Sequence, residues 1–160
     1  MADVWVVNAS PLIALAHASH LDLLEKLASE LLIPEAVVQE ILAGPDDPAR
    51  RALSSGWGPR RMAAVPDSVA EWGLGAGESG VLALALELRA TAVIDDRMAR
   101  RSAKALGVPV IGTLGVILRA KRESLITAAE PVIRAVVDAG FFYDRDSIGT
   151  LLAGVGEEWH

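Results

Sequence analysis

The sequence predicts a single α/β domain in which a parallel sheet is covered by helices on both faces. The chain has 160 residues, 52% of them hydrophobic, which is enough for one domain with a sizeable core. Short, almost wholly apolar runs alternate with helical patterns, and such runs are typical of parallel strands that are buried on both faces. The alternation of strand and helix favours right-handed crossover connections.

Four strands and seven helices are predicted in chain order. The strands are Val4–Val7, Leu31–Ile33, Thr91–Ile94 and Val108–Ile111. The helices are Pro11–Leu27, Glu35–Ala43, Ala76–Ala90, Arg97–Leu106, Leu114–Arg122, Ala128–Ala139 and Asp146–Leu152. We expect Ser10 to cap the first helix and Pro11 to occupy its first turn.

The segments between and after these elements are predicted as irregular structure. Gly44–Asp67 is rich in Gly, Pro and Arg and is predicted as a long loop that contains at most one short helix. Residues 1–155 are expected to form the domain, and residues 156–160 a frayed tail.

The absence of cysteine excludes disulfide bonds and thiolate zinc sites. No apolar run approaches the ~20 residues of a membrane span, and Asp3 stands near the amino terminus where a signal peptide carries Lys or Arg. We therefore expect a cytoplasmic protein without a membrane or targeting segment.

The distribution of charge predicts a basic surface although the net charge is −6. Seven basic residues and no acidic residue lie between Arg97 and Arg122, which concentrates 7 of the 15 Lys and Arg in 26 positions. Because the distribution of charge says more about partners than its sum does, this stretch is a candidate nucleic-acid surface. Its members are Arg97, Arg100, Arg101, Lys104, Arg119, Lys121 and Arg122.

Five oxygen-bearing residues occupy positions that open parallel sheets use for ligands. Asn8 ends the first strand, Asp95 and Asp96 follow Thr91–Ile94, Glu40 borders the buried stripe of its helix, and Glu78 opens the most apolar helix. Each has an ordinary structural explanation as a cap, a helix-dipole partner or a solvated residue. If they converge in the fold, they provide the oxygen ligands that bind Mg²⁺ or Mn²⁺. A cation held in this way can promote the hydrolysis of a phosphodiester.

Three other motifs were weighed and are disfavoured. Gly75–Gly80 fits G-x-G-x-x-G, but no strand precedes it and Glu78 within it would repel a pyrophosphate. His17 and His20 are better explained as exposed helical residues than as zinc ligands, since only His160 could add a third imidazole. Trp57 is the one tryptophan that could stack on a base, although packing is the better explanation.

The order of motifs resembles a prokaryotic PIN-like subfamily that is similar to VapC-type toxin ribonucleases. The matching segments are VVNASPLIALAHASHLDLLEKL (Val6–Leu27), VVQEILAG (Val37–Gly44), GAGESGVLALALELRATAVIDDRMAR (Gly75–Arg100) and GTLGVILRAKRESLI (Gly112–Ile126). The resemblance implies a single-domain parallel-sheet fold of PIN type and a Mg²⁺- or Mn²⁺-dependent endoribonuclease.

The resemblance also assigns site residues one by one. The acidic cluster of the family falls on Asn8, Glu40, Glu78 and Asp96, with Asp95 as a close competitor for the last place. The family has an aspartate at the first of these positions, where this chain has Asn8. An amide brings no charge and is a poor general base. The expected RNA-binding residues are Ser10, Arg97, Arg100, Arg101, Lys104 and Lys121.

Two functions from different classes follow. The first is a toxin ribonuclease that acts on RNA, has a cognate antitoxin and forms a homodimer. The dimer is expected to form through the helices of the N-terminal half, whose apolar residues are Leu12, Ile13, Leu15, Leu21 and Leu24. The second is a catalytically weakened PIN-like module that binds RNA or a partner protein. The two functions differ at Asn8.

Overall fold

The computed structural model describes residues 3–160 and shows a parallel sheet with helices on both faces. Within that range the sheet has five strands in the spatial order β3-β2-β1-β4-β5, and every neighbouring pair is parallel. The predicted α/β fold is therefore confirmed. The strands are β1 (Val4–Val7), β2 (Glu30–Pro34), β3 (Arg60–Arg61), β4 (Thr91–Val93) and β5 (Val110–Ile111).

Helices connect the strands and cover the sheet. They are α1 (Ala9–His17), α2 (Asp22–Leu27), α3 (Glu35–Leu42), α4 (Pro48–Ser54), α5 (Asp67–Ala70), α6 (Ala76–Leu88), α7 (Arg97–Leu106), α8 (Thr113–Arg122), α9 (Glu130–Asp138) and α10 (Arg145–Ala153). The chain builds β1, β2 and β3 outward in one direction, then returns to place β4 and β5 on the other side of β1. This reversal lies between β1 and β4, and the carboxyl edge of such a point is where open α/β sheets bind ligands.

The core explains why these segments fold as they do. Val6 and Val7 of β1 and Ala92 and Val93 of β4 are fully buried, as expected for central parallel strands. The five successive residues 81–85 of α6 are also buried, because this helix packs against the central strands and against α3. Burying them stabilises the fold by roughly 1.5–3 kcal/mol for each large apolar side chain.

The predicted helix Pro11–Leu27 is two helices. The chain turns between α1 and α2 at Ser19, whose φ of 61° is left-handed, and a residue with that backbone conformation cannot continue a right-handed helix. Ser10 is not the cap either, since α1 begins at Ala9 and its N-cap is Asn8, which makes no side-chain capping bond.

The predicted loop Gly44–Asp67 contains two elements. Asp47 caps α4 by accepting a hydrogen bond from the backbone N–H of Arg50 at 2.8 Å. Further on, the two-residue strand β3 pairs with β2 through Ile33↔Arg60 and Pro34↔Arg61. Sequence analysis missed β3 because two exposed arginines carry no apolar signal.

The last residues, predicted to be frayed, make specific contacts with α9. Both carboxylate oxygens of Glu157 accept backbone hydrogen bonds at 2.9 Å, from Ala129 and from Glu130. The guanidinium of Arg134 lies 4.4 Å from the ring centroid of Trp159, which is a cation–π distance. These contacts attach the carboxyl-terminal residues to the start and the middle of α9.

The apolar residues expected to form a dimer interface are divided between the core and the surface. Leu12, Leu15 and Leu24 are at most 1% exposed and belong to the core, whereas Ile13 and Leu21 are partly exposed. Dimerisation therefore stays a prediction.

The longest helix in the described range is α6, with 13 residues. At 1.5 Å per residue it falls short of a hydrocarbon core of about 30 Å, and no described helix is long and apolar enough to cross a membrane.

Candidate functional site

The candidate site begins where β1 ends, beside β4. The backbone N–H of Asn8 donates to the carbonyl of Val93 at 3.0 Å, which continues the pairing of the two central strands by one residue. The Asn8 side chain is 3% exposed. Within residues 3–160 its Oδ1 is the one buried side-chain polar atom without a hydrogen-bond partner, and leaving such an atom unpaired costs about 1–3 kcal/mol.

Two glutamates come from helices that pack together at this point. Glu40 lies on α3 and Glu78 in the first turn of α6. A Cβ placed on Gly77 would lie 3.4 Å from Glu40 Oε2 and 3.5 Å from Asn8 Oδ1, which are ordinary contact distances, so both oxygens face the same point on α6. The amide oxygen and the carboxylate therefore border the same point in space.

The three residues line one small cavity. Its volume is about 270 Å³, and it opens at the carboxyl edge of β1. Its wall is completed by Ala9, Ser10, Ile13, Ile41, Gly44, Pro45 and Asp47. None of the described residues donates a hydrogen bond to Asn8 Oδ1.

The two carboxylates repel each other in this cavity. Burial, and next the negative charge of Glu78, raise the pKa of Glu40 above its ordinary value. Solvent still reaches Glu40, so the repulsion is screened rather than eliminated. A cation placed between the carboxylates would relieve it.

Asp95 makes different contacts from those expected of a metal ligand. Its Oδ1 accepts a hydrogen bond from the backbone N–H of Thr113 at 2.8 Å, and its Oδ2 accepts from the Thr113 hydroxyl at 2.5 Å. The Tyr143 hydroxyl donates to Oδ2 at 3.3 Å. Asp95 thus connects the end of β4 to the start of α8 and to the segment before α10. Burial, and then the charge of Asp95, raise the pKa of Tyr143.

Asp96 caps α7, since its Oδ2 accepts a hydrogen bond from the backbone N–H of Ala99 at 2.9 Å. Within the described range, no three acidic or histidine side chains lie close enough together to share a metal ion. The cavity brings together Asn8, Glu40 and Glu78. A ligand role for Asp95 or Asp96 stays a prediction from their position after β4 and from the resemblance.

The basic residues of α7 share one groove. Arg97, Arg100, Arg101 and Lys104 line it together with Asp95 and with Gly107–Val110, the segment that leads into β5. The groove has a volume of about 750 Å³. All four basic side chains are exposed, and we call this surface the α7 groove.

The basic stretch Arg97–Arg122 does not form one surface, because its basic residues on α8 do not line the α7 groove. Arg119 forms ion pairs with Asp3 at 3.0 Å and with Glu123 at 2.9 Å. Lys121 donates to the carbonyl of Thr127 at 2.6 Å and lies 3.8 Å from Glu157. Since α8 starts beside Asp95, Lys121 is about 12 Å further along the helix axis and is separated from the α7 groove.

The structure gives the residues of the disfavoured motifs ordinary surroundings, although His20, expected to be an exposed helical residue, is half-buried and lies between α1 and α2. The glycines 75–80 open α6 after a turn that follows α5, with no strand before them. His17 packs against Phe141, with 6.1 Å between ring centroids. Trp57 donates its indole N–H to a carboxylate oxygen of Glu25.

Sequence reasoning missed two parts of the site. Asp47 lines the cavity of Asn8 and is followed by Pro48, a cap-and-proline signature that is readable in the sequence. Tyr143 reaches Asp95 across 48 positions, and no local pattern could have shown this contact.

Comparisons with known proteins place these features in context. Residues 4–157 match the family model DUF3368, which describes a PIN domain. The crystal structure of PAE2754 from Pyrobaculum aerophilum is similar, with a TM-score of 0.50 and 22% identity over 86% of this chain and 99% of that chain. At this identity the similarity concerns the fold alone. No curated protein matches the chain.

Proposed function

Because this chain belongs to the PIN domain family, whose members are generally nucleases, we propose that it is a metal-dependent endoribonuclease. The observation that carries the proposal is the cavity in which Glu40, Glu78 and the unpaired Oδ1 of Asn8 meet. We further propose that it is the toxin of a type II toxin–antitoxin module, acting in the cytoplasm, with a cognate antitoxin and a second copy of itself as partners.

The residues present fit a hard divalent cation. Mg²⁺ and Mn²⁺ prefer carboxylate, carbonyl and water oxygens, and the cavity offers two carboxylates and one amide oxygen. A cation would give Asn8 Oδ1 a partner and would offset the repulsion that raises the pKa of Glu40. When bound, it would supply Lewis-acid stabilisation of the charge that develops as a phosphodiester is hydrolysed.

The chain's own residues have distinct tasks in this proposal. Asn8, Glu40 and Glu78 would hold the cation through their oxygens, and the oxygens of Asn8 and Glu40 both face Gly77. Ser10 is exposed at the mouth of the cavity and can donate its hydroxyl to a phosphate oxygen. The side chains of the α7 groove bind phosphates further along the strand and so orient it at the cavity.

Asn8 also favours the second candidate, a weakened PIN-like module that binds RNA or a partner protein. Only two of the three residues in the cavity carry charge, and fewer negative ligands mean weaker binding of a hard cation. RNA binding through the α7 groove is common to both candidates, whereas metal-dependent cleavage separates them.

Charge reversal in the α7 groove should weaken RNA binding in a salt-dependent way. With Arg101→Glu and Lys104→Glu combined, we expect lower affinity for single-stranded RNA at low salt and a flatter dependence of log affinity on log salt. Each lost phosphate contact removes about 0.7 from the slope. Fluorescence anisotropy at several salt concentrations measures both quantities.

Arg122→Glu is the charge-matched control for Arg101→Glu alone, because each substitution changes the net charge by the same amount and Arg122 is exposed at the far end of α8. This variant should bind RNA like the wild type. Equal losses in the two proteins would indicate a response to net charge and would contradict an RNA site in the α7 groove.

A further inference from the structure

Phe142 is the most exposed of the large apolar side chains in residues 3–160, with 93% of its surface open to solvent. It lies in the short irregular segment between α9 and α10. Most phenylalanines are buried, and none of the residues that the structure describes covers this ring.

The residues on both sides of Phe142 are anchored. Phe141 is half-buried against the core and its ring lies 6.1 Å from that of His17. Tyr143 is held by its hydroxyl, which donates to Asp95 Oδ2 at 3.3 Å. Because the backbone is fixed before and after it, the ring of Phe142 is displayed outward from a defined position rather than from a free loop.

That position is at the functional edge of the sheet. The Tyr143 contact places the segment beside Asp95, and Asp95 also lines the α7 groove with its four basic side chains. Asp95 in turn follows β4, the strand that pairs with β1 up to Asn8. The segment of Phe142, the Asp95 end of the α7 groove and the acidic cavity therefore lie at one carboxyl edge, and the groove extends from there along α7 toward the start of β5.

We propose that Phe142 stacks on an unpaired base of the RNA whose phosphates lie in the α7 groove. This inference rests on the proposed function, because it concerns the same bound strand. A cationic groove beside an exposed aromatic ring is the combination that proteins use for single-stranded nucleic acid.

The test compares Phe142→Leu with Phe142→Trp. Leucine keeps an apolar side chain but has no aromatic face, whereas tryptophan keeps the face. The probe is a single-stranded RNA with 2-aminopurine at successive positions, bound in EDTA so that no cleavage occurs. We expect about tenfold weaker binding by Phe142→Leu and near wild-type binding by Phe142→Trp. At one probe position, 2-aminopurine should be quenched by the wild type and by Phe142→Trp only.

Met62→Ala is the matched control, since Met62 is 76% exposed. It follows β3, which is the edge strand of the sheet on the side away from β4 and β5. The Met62→Ala variant should bind like the wild type, and all variants should melt at the same temperature because both side chains are in solvent.

The outcomes separate this inference from the proposed function. Wild-type binding and quenching in Phe142→Leu would overturn the role of the ring alone. The role would also be overturned if Phe142→Leu changed only the oligomeric state in sedimentation velocity, which would indicate a self-association contact. A wild-type protein that binds no RNA would overturn both the stacking role and the RNA-binding function.

Discussion

Replacing Glu78 with glutamine is expected to lower Mn²⁺-dependent cleavage of RNA by about 100-fold or more. The change removes one of two carboxylates from the cavity while keeping the size of the side chain. Loss of a group that merely supports a metal ligand costs about 10–100-fold, so loss of a ligand should cost at least as much. Initial rates with a labelled single-stranded RNA, measured over a range of Mn²⁺ concentrations, determine the loss.

Glu87→Gln provides a matched control on the same helix. Glu87 lies nine residues further along α6, is exposed and forms a loose ion pair with Arg61 at 3.7 Å. This variant should keep wild-type cleavage, and Glu78→Gln should keep wild-type RNA binding in EDTA. If Glu78→Gln cleaved RNA at the wild-type rate, a catalytic cation at Glu78 would be ruled out.

Replacing Asp95 with alanine is expected to destabilise the fold by about 2–4 kcal/mol. Asp95 accepts three hydrogen bonds, two from Thr113 and one from Tyr143. Hydrogen bonds to a charged group contribute about 1.5–3 kcal/mol each, with part of the loss recovered by solvent. Urea unfolding followed by circular dichroism gives the change in the free energy of unfolding.

Asp96→Ala is the neighbouring comparison. Asp96 makes a single capping bond to Ala99, and loss of such an N-cap typically costs ~1 kcal/mol. The larger effect should therefore belong to Asp95. If Asp96→Ala were the more destabilising of the two, Asp95 would not be the link between β4, α8 and Tyr143.

The fold could be predicted from the sequence wherever burial leaves a local pattern. The central strands β1 and β4 are short apolar runs, and α6 is an apolar segment of helical length. The strand β3 is different, because Arg60 and Arg61 are exposed and form a strand only through their pairing with β2. That pairing depends on where the chain lies after α4, and no local sequence pattern indicates this position.

The candidate site could likewise be predicted only in part from the sequence. Asn8, Glu40 and Glu78 could be predicted as neighbours because the ends of parallel strands and the helices that follow them meet at one edge. The different roles of Asp95 and Asp96 could not be predicted, since they depend on partners as far away as Tyr143.

The basic stretch shows the same limit. Arg119 and Lys121 do not line the α7 groove. They lie beside Asp3 and Glu157, which are near the two ends of the sequence. Contacts of this sequence separation are set by the completed fold.

Calorimetric titration of the metal-free protein with Mn²⁺ tests the central claim most directly, namely that Asn8, Glu40 and Glu78 form a cation site. We expect one weak site per chain in the wild type. Asn8→Asp should bind about tenfold or more tightly, because it adds a third carboxylate. Glu40→Gln combined with Glu78→Gln should bind no Mn²⁺. Absence of binding in both the wild type and Asn8→Asp would contradict the account.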